Sequence, residues 1–286
     1  MIWSLVSKSE MDGFGTSPVF RFYREALGKE NISLAVVEEN DELNFVKEDD
    51  VVLLRTAHPQ LLATIERKGL RSTAENYPSY KLVSDKVALA QYLMAHDVNV
   101  PKQFALEDVE DEKTYFVKPR FGCDSFGIST ANICRSKYEV EVMYERMKNV
   151  LNMEPVIEEF IEGEDCTVAC CVPCVGELLT AAIGVECEET DGIQTRDCKV
   201  GFKEYCHAME NTEELDGLAE EVFVLLKLKH HARMDFRRDK DGNVFLIDVN
   251  LLPGLGPVDH FAKCFLLTKN FSYVDTMKMI VVSALV

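Results

Sequence analysis

Short apolar runs alternate with helically spaced apolar positions over residues 1–83. Gly28 and Gly69 follow the two helical stretches, at positions where glycine commonly ends a helix. This alternation of strands and helices predicts a small parallel α/β layer, with the carboxyl ends of its strands facing a binding cleft. The predicted strands are Trp3–Val6, Ser33–Val37 and Val51–Leu54, and the predicted helices are Val19–Leu27 and Leu61–Lys68.

A different pattern follows residue 83. Ser84 or Asp85 is a good N-cap for a helix whose apolar residues begin at Val87, and Pro101 closes that segment. Thr212 is the expected N-cap of a later helix, where it forms half of a capping box. The remaining predicted elements are strands Thr114–Val117, Thr167–Val172, Leu178–Val185, Ala232–Phe236 and Val244–Val249, helices Glu139–Asn149 and Thr212–Leu228, and a long polar loop over Glu186–Ala208.

The composition excludes several classes of protein. Among 286 residues, 47% are hydrophobic and 28% charged, which is typical of a folded globular chain. The net charge of −18 repels phosphate backbones, so we expect no nucleic-acid partner. Ten scattered cysteines indicate reduced thiols in a cytoplasmic protein. The apolar run Met279–Val286 is about half of what a bilayer requires, so we expect no membrane partner.

Four polar side chains near the end of the chain form the strongest chemical signal. Arg233 and Asp235 alternate on one predicted strand, and Asp248 and Asn250 alternate on the next, so each pair points to one face. The turn between the strands would bring both pairs together, and their three oxygen donors suit a hard cation such as Mg²⁺. The solvated outer face of a hairpin shows the same alternation, and the pattern alone leaves that alternative open.

The order of motifs from residue 84 to residue 280 resembles that of the ATP-grasp superfamily, and most closely its D-alanine–D-alanine ligase branch. Each motif is weak alone, but all occur in the family's order with compatible separations. The motifs are Asp85-Lys86, Val117-Lys118-Pro119, Ser125-x-Gly127, Glu158-Glu159-Phe160-Ile161 with Asp165, Arg233-x-Asp235, Asp248-x-Asn250 and Pro253-Gly254. The resemblance implies an ATP-grasp fold of α/β and α+β parts, with a small N-terminal α/β domain over 1–83, a central lobe over 84–157 and a C-terminal lobe over 158–286.

The resemblance implies that two lysines hold the phosphates of ATP. Lys86 and Lys118 would supply point charges to the α- and β-phosphates, which an acidic protein cannot provide diffusely. A lysine on an apolar strand is otherwise costly, although either side chain could instead extend to solvent. Ser125 would contact phosphate from the loop Gly122–Gly127, which would close to exclude water; a turn-forming serine is the alternative.

The adenosine would lie against the segment that follows residue 157. The backbone of Glu159–Ile161 would read the adenine edge, while Phe160 and Ile161 form an apolar wall, a role that is compatible with core packing. A turn at Gly163 would bring Glu158 and Asp165 toward the nucleotide. Asp165 stands where the family usually has a ribose-binding glutamate.

The implied reaction is ATP-dependent ligation of a carboxylate to an amine. The carboxylate attacks the γ-phosphate to give ADP and an acylphosphate, which the amine then attacks. Mg²⁺ or Mn²⁺ at Asp235, Asp248 and Asn250 would bridge the phosphates. Arg233 and the Gly254 amide would stabilise the oxyanion.

Three departures from the branch indicate altered substrates. The segment Ser7–Gly13 lacks a glycine-rich, glutamate-containing pattern, Asp259 replaces a serine that helps to hold the acceptor carboxylate, and Cys123 and Asp124 stand where small hydroxylated residues are usual. A carboxylate at 259 would repel an amino-acid carboxylate. The sequence therefore predicts amino-acid-like substrates other than D-alanine.

Other polar residues have a functional and an ordinary interpretation. Five basic side chains could bind a substrate carboxylate, but solvated loop charges are the default expectation. His260 could interact with the amine of a substrate, but a histidine with a structural role is more common. Cysteines at 166, 170, 171 and 174 are too far apart along a strand to gather around zinc, so buried thiols are expected. The five basic candidates are Arg55, His58, Arg196, Lys199 and Lys203.

The sequence therefore predicts an ATP-dependent, ADP-forming ligase that joins amino-acid-like substrates. Two alternatives remain: a glutamate-adding ligase for peptides or small molecules, and a catalytically silent nucleotide-binding regulator. The complete set from Arg233 to Asn250 argues against the silent protein, because binding alone requires no oxyanion group. A homodimer through the first domain is expected from the resemblance alone.

Overall fold

The computed structural model describes residues 1–8, 11, 16–122, 125, 127–174, 177–187, 193–195, 198 and 204–285. Its strands form a parallel N-terminal sheet, a central antiparallel sheet and a C-terminal antiparallel sheet. Within these ranges, every helix is too short or too polar to cross a bilayer. The mixed architecture predicted from the sequence is confirmed.

The N-terminal sheet has the strand order β2-β1-β3-β4, and all of its pairs are parallel. The second of its helices begins at Pro59 and ends at Gly69, whose φ of 60° is the left-handed value that favours glycine. A helix that was not predicted follows β4 and is capped by Asn76, whose side chain accepts from the Ser79 amide. The elements are β1 (Ile2–Val6), α1 (Thr16–Leu27), β2 (Ile32–Val36), β3 (Val51–Leu54), α2 (Pro59–Lys68), β4 (Arg71–Ser72) and α3 (Tyr77–Ser84).

The central lobe begins at the predicted cap, Asp85, whose carboxylate accepts from the amides of Val87 and Ala88. Its sheet has the order β5-β8-β6-β7. The predicted surface helix is shorter than expected, buries Val140 and Met143, and continues as a π-helical turn. The elements are α4 (Lys86–Met94), β5 (Gln103–Phe104), β6 (Tyr115–Pro119), β7 (Ile133–Cys134), α5 (Lys137–Glu145), the π-helical turn Arg146–Val150 and β8 (Pro155–Glu159).

The C-terminal sheet has the order β11-β10-β9-β12-β13. Its strands β12 and β13 form the predicted hairpin, and its long strands β9 and β10 form a second hairpin beside it. Helices pack against the sheet through buried apolar side chains such as Val222 and Phe261. The elements are β9 (Gly163–Cys174), β10 (Glu177–Cys187), β11 (Glu204–Ala208), α6 (Glu213–Leu225), β12 (His231–Asp239), β13 (Val244–Asn250), α7 (His260–Lys269) and α8 (Tyr273–Ser283).

Hydrophobic clusters join the first and last of these lobes. Leu5 and Leu54 from the N-terminal sheet share a core with Met234 from the C-terminal sheet. The central lobe has its own cluster, which includes Tyr115 and Val140. A separate core in the central lobe allows that lobe to form one wall of a cleft.

Several predictions for the C-terminal lobe are wrong. The loop over Glu186–Ala208 ends in an edge strand, β11, that pairs with β10. The Thr212 hydroxyl donates to the Asp216 carboxylate and makes no cap hydrogen bond, so the half capping box is absent. Helices α7 and α8 were not predicted, although the residues that they bury, such as Thr276, Ile280 and Ser283, have helical spacing.

Gly163 is required for strand pairing, not for a turn. It belongs to β9, opposite Asp239 on β12, and a Cβ there would collide with the carbonyl oxygen of Arg238 and lie 2.9 Å from its carbonyl carbon. We expect Gly163→Ala to lower the free energy of unfolding by about 1–3 kcal/mol or more, since backbone must move. Gly217→Ala is the matched control, because Gly217 lies inside α6 with open space around it.

For Gly217→Ala we expect a gain of about 0.5–1 kcal/mol from helix propensity. Urea unfolding of the two variants beside the parent measures both effects. Equal stability of Gly163→Ala and the parent would show that β9 and β12 are not as close as the structure has them.

Glu75 connects the N-terminal domain to the C-terminal lobe and titrates within the neutral range. Its carboxylate is 2% exposed and accepts from the backbone amides of Lys229 and His230 at 2.8–3.0 Å. Burial raises its pKa to about 7, although these hydrogen bonds oppose the shift. The folded state therefore binds a proton more tightly than the unfolded state does. Its contribution to stability is complete below the unfolded pKa and is lost as the pH rises through about 7.

We expect this loss to amount to roughly 3 kcal/mol between pH 4.5 and pH 8. The measurement is the free energy of unfolding against pH for the parent and for Glu75→Gln, whose amide does not titrate. The difference between the two curves should decline with pH over that interval. A constant difference would contradict the prediction.

Candidate active site

A cleft of about 960 Å³ lies between the central and C-terminal lobes. Its walls come from β6 and β8 on one side and from β9, β12 and β13 on the other. Asn250 and Gly254 are not among the residues that line it. The predicted site residues that line the cleft are Lys86, Lys118, Ser125, Glu158, Glu159, Phe160, Ile161, Asp165, Arg233, Asp235 and Asp248.

Lys118 is held by a buried ion pair. Its Nζ lies 2.7 Å from Glu158 Oε2 on the neighbouring strand β8 and donates to the Ile247 carbonyl at 3.0 Å. The Lys118 and Glu158 side chains are 9% and 6% exposed, so the lysine does not extend to solvent. The Gln103 amide also donates to Glu158, at 3.1 Å. The Glu158 carboxylate thus fixes the lysine in the cleft.

Lys86 lies at the start of α4, at the rim of the cleft. Its Nζ donates to the Gly122 carbonyl at 2.8 Å, which places the ammonium group beside the predicted phosphate loop. The preceding residue, Asp85, accepts two hydrogen bonds from the Arg120 guanidinium at 2.7 and 2.6 Å. This interaction holds the pKa of Asp85 below its usual value. Arg120 was missed, because its partner lies 35 positions away in the sequence.

Only part of the predicted adenine segment has backbone groups available for a ligand. The Glu159 amide donates to the Lys102 carbonyl at 2.9 Å, and the Phe160 amide donates to the Thr114 carbonyl at 3.1 Å. These two amides are therefore engaged by the fold. The Phe160 ring faces the cleft, with the Phe116 ring centroid 6.4 Å away.

Asp165 forms a buried pair with Arg237, a residue that sequence reasoning missed. The two side chains are 4% and 6% exposed, and Arg237 Nη1 lies 2.8 Å from the Asp165 carboxylate. The same guanidinium lies over the Phe160 ring, 5.1 Å from its centroid. Alternation along β12 could have identified it, since residues 233, 235 and 237 share a face.

The hairpin brings the two predicted pairs together. Arg233 is opposite Asn250 and Asp235 is opposite Asp248, because the register of the two strands shifts by one residue between Asp235 and Phe236. The Arg233 guanidinium binds Asp235 through two hydrogen bonds, at 3.0 and 2.8 Å, and the Thr167 hydroxyl donates to the same carboxylate at 2.9 Å. Arg233 and Asp235 are buried, so the alternative of a solvated outer face is wrong for them.

The loop after β13 is held by the N-terminal domain. Arg55 Nη2 donates to the carbonyls of Leu252 and Pro253 at 3.3 and 2.7 Å, so this guanidinium is not a solvated loop charge. Asp259 Oδ2 accepts from the Gly256 amide at 2.6 Å and lies 2.7 Å from the position that a Cβ on Gly254 would occupy. The Asp259 carboxylate therefore lies close to Gly254, the residue whose amide is the predicted oxyanion donor.

The other sequence candidates have varied placements. The Ser125 hydroxyl donates to the Gln194 carbonyl at 2.9 Å, and the Asn250 side-chain oxygen accepts from the Leu252 amide at 2.9 Å. His58 lies 3.3 Å from a Glu39 carboxylate oxygen. The buried thiols expected on β9 are confirmed at residues 166, 170 and 171. Cys123, Asp124, Arg196, Lys199 and Lys203 lie outside the described residues.

The two facing lobes with a cleft between them define an ATP-grasp fold. The D-alanine–D-alanine ligase of Bacillus anthracis, solved with ATP, superposes with a TM-score of 0.75 at 19% identity over 99% of this chain and 97% of that one. The VanG D-Ala:D-Ser ligase of Enterococcus faecalis gives 0.72 at 14% identity, over 99% and 98%.

The model of the D-ala D-ala ligase C-terminus matches residues 84–281, and the chain belongs to this family. The D-alanine–D-alanine ligase of Francisella philomiragia is 28% identical over 206 residues, which are 68% of this chain and 66% of that protein. The Aquifex aeolicus ligase is 34% identical over 104 residues, which are 35% and 34% of the two chains. The chain thus spans about two thirds of the Francisella relative's length, and the resemblance found in the sequence is confirmed.

Proposed function

We propose that the protein is an ATP-dependent, ADP-forming ligase that joins a carboxylate to an amine. The main support is the pairing of Arg233 and Asp235 on the wall of a cleft that also exposes Lys118 and Asp248. This arrangement combines cations for phosphates, oxygen donors for a divalent metal ion and a guanidinium for an oxyanion. A site for binding alone would not need the last of these.

The cleft has the chemistry that ATP requires. Phe160 and Ile161 provide an apolar wall for a base. Lys86 and Lys118 are two cations that line this cleft in a chain of net charge −18, and they would supply local point charges to the phosphates. Asp165 would contact the ribose, and its ion pair with Arg237 would fix its orientation.

The oxygen donors on the hairpin fit Mg²⁺ or Mn²⁺. Asp235 on β12 and Asp248 on β13 are carboxylates that face each other across the hairpin. Asn250, two residues beyond Asp248 on β13, would add a side-chain amide oxygen. When bound, such an ion neutralises the charge that develops on the transferred phosphoryl group. Arg233 orients the Asp235 carboxylate through two hydrogen bonds.

In the proposed reaction, the substrate carboxylate attacks the γ-phosphate and the amine attacks the resulting acylphosphate. Arg233 and the Gly254 amide stabilise the oxyanion of the second step. Ser125, from the loop over 122–127, contacts phosphate and helps to exclude water. Arg55 fixes the carbonyls of the loop that bears Gly254, which keeps that amide in place.

The substrates are proposed to be amino-acid-like molecules other than a pair of D-alanines. Asp259 places a carboxylate against Gly254, where it would repel the carboxylate of an acceptor amino acid and attract a cationic group. The relatives described above give no support to the glutamate-adding or silent alternatives. The cytoplasmic location and the homodimer stay predictions.

The test is ADP production with Mg-ATP against D- and L-amino acids, singly and in pairs, including acceptors that carry a second amine. Turnover that requires two amino acids and is lost in Asp248→Ala would support the ligase. Tight binding of Mg-ATP without ADP release from any pair would favour the silent alternative. Turnover with one amino acid that survives Arg233→Ala would indicate simple phosphorylation.

A further inference from the structure

Two thiols and a carboxylate meet at the edge of the C-terminal sheet. Cys187 ends β10 and is paired in register with Glu204, which begins β11, and Cys198 comes from the chain between these strands. The two sulfur atoms and a carboxylate oxygen all lie within 4.8 Å of one another. His260, the first residue of α7, places its Nε2 2.9 Å from Glu204 Oε2.

The spacing of these atoms is close to that of a tetrahedral zinc site. Bonds of about 2.3 Å to sulfur and about 2.0 Å to oxygen give edges of about 3.8 Å between sulfurs and about 3.5 Å between sulfur and oxygen. Cys187 Sγ lies 3.9 Å from Glu204 Oε1. Small side-chain rotations would therefore gather the donors, without movement of the strands.

Most of the cluster is shielded from water, and Cys187 is half-buried. Cys198 is 2% exposed, and the side chains of Glu204 and His260 are 10% and 5% exposed. Burial, a hydrogen bond to Cys198 and the Glu204 charge all raise the pKa of the Cys187 thiol. A cation that binds the Cys187 sulfur as a thiolate must therefore displace a proton.

We propose that Cys187, Cys198 and Glu204 bind one divalent cation of the zinc type. Each thiol loses its proton to solvent as a metal–sulfur bond forms, and water takes the fourth position. His260 is a positioning residue, because its Nε2 holds the carboxylate. Thiolates select zinc over magnesium, which separates this site from the oxygen donors of the hairpin.

The test uses the full-length, tag-free protein, reduced and freed of metal by a chelator. Zn²⁺ uptake is measured by titration and elemental analysis, and Co²⁺ serves as a spectroscopic probe, since thiolate-to-cobalt charge-transfer bands report the sulfur ligands. Variants Cys187→Ser and Cys198→Ser remove one sulfur each. Cys134→Ser is the matched control, because Cys134 is a buried thiol in the central lobe.

We expect one Zn²⁺ per chain, proton release on binding, and a loss of affinity of at least about 100-fold in each cluster variant. Cys134→Ser should bind as the parent does. His260→Ala should weaken metal binding by about 10–100-fold but keep the thiolate-to-cobalt charge-transfer bands. Loss of a sulfur ligand would instead weaken those bands. Urea unfolding of the metal-free variants separates loss of ligand from loss of fold.

Two results would overturn the proposal. One is binding by the Cys187→Ser, Cys198→Ser double variant with the affinity of the parent. The other is the combination of a Cys187–Cys198 disulfide in protein purified without reductant and no uptake of Zn²⁺ or Co²⁺ by the reduced protein. That combination would indicate that the two cysteines form a redox couple and not a metal site.

Discussion

Replacing Arg233 with alanine is expected to lower kcat for ADP release by about 10²–10³-fold, because the variant lacks the guanidinium that faces the developing oxyanion. The same change leaves Asp235 buried without its partner, which costs about 3–5 kcal/mol of stability. Activity must therefore be measured below the unfolding transition of the variant. Arg233→Lys keeps the charge and should recover part of kcat.

Arg237→Ala is the matched control for this prediction. It breaks a second buried Arg–Asp pair, which joins Arg237 on the same strand, β12, to Asp165 on β9. Because that pair lies beside the proposed adenosine site, we expect a higher KM for ATP and a kcat within a few-fold of the parent. Steady-state kinetics of Arg233→Ala and Arg237→Ala measure kcat and KM for ATP in both variants. Equal losses of kcat would contradict the proposed role of Arg233 at the oxyanion.

Lys118→Met is expected to weaken Mg-ATP binding by at least about 100-fold, equivalent to roughly 2.7 kcal/mol, since it removes the most buried cation of the proposed phosphate site. It also leaves the Glu158 carboxylate buried beside an apolar group, at a further cost in stability. Isothermal titration with a non-hydrolysable ATP analogue and urea unfolding measure the two effects.

A double variant separates the two effects of losing Lys118. The double variant Lys118→Met, Glu158→Gln has no unpaired carboxylate at position 158. The Gln103 amide can still donate a hydrogen bond to the new glutamine side chain. We expect stability to return toward the parent and ATP binding to stay weak. Recovery of ATP binding in the double variant would mean that the lysine serves the fold and not the nucleotide.

Local alternation is what made the hairpin predictable. Arg233 and Asp235 on one strand, and Asp248 and Asn250 on the next, alternate with apolar residues, so the face shared within each pair follows from the strand period. The one-residue register shift between Asp235 and Phe236, which brings Asp248 opposite Asp235, does not follow from that period. Asp85 was equally clear, because an N-cap is decided by its next few neighbours. Features of this kind need no knowledge of the rest of the chain.

Partners that are far apart in the sequence could not be predicted. Glu158 pairs with Lys118 across 40 positions, and Arg237 with Asp165 across 72. A single charged residue on one strand does not indicate which oppositely charged residue on another strand will be its partner. The site was therefore predicted as a set of residue types, while the contacts that orient them required the structure.

The missed elements have similar causes. Strand β11 is an edge strand of five residues with a polar sequence, and its pairing with β10 decides its conformation more than its own propensity does. Helix α8 begins with a capping box from Ser272 to Asp275, which is a local signal that marks the start of a helix in the sequence.

The most direct test of the ligase proposal is transfer of oxygen from the donor carboxylate to phosphate. The donor identified in the amino-acid panel is labelled with ¹⁸O in its carboxyl group, and the phosphate released during turnover is analysed by mass spectrometry. Ligation through an acylphosphate predicts that one labelled oxygen appears in each phosphate, in step with ADP and the amide product. Phosphate without label, formed at the same rate as ADP, would contradict the proposal.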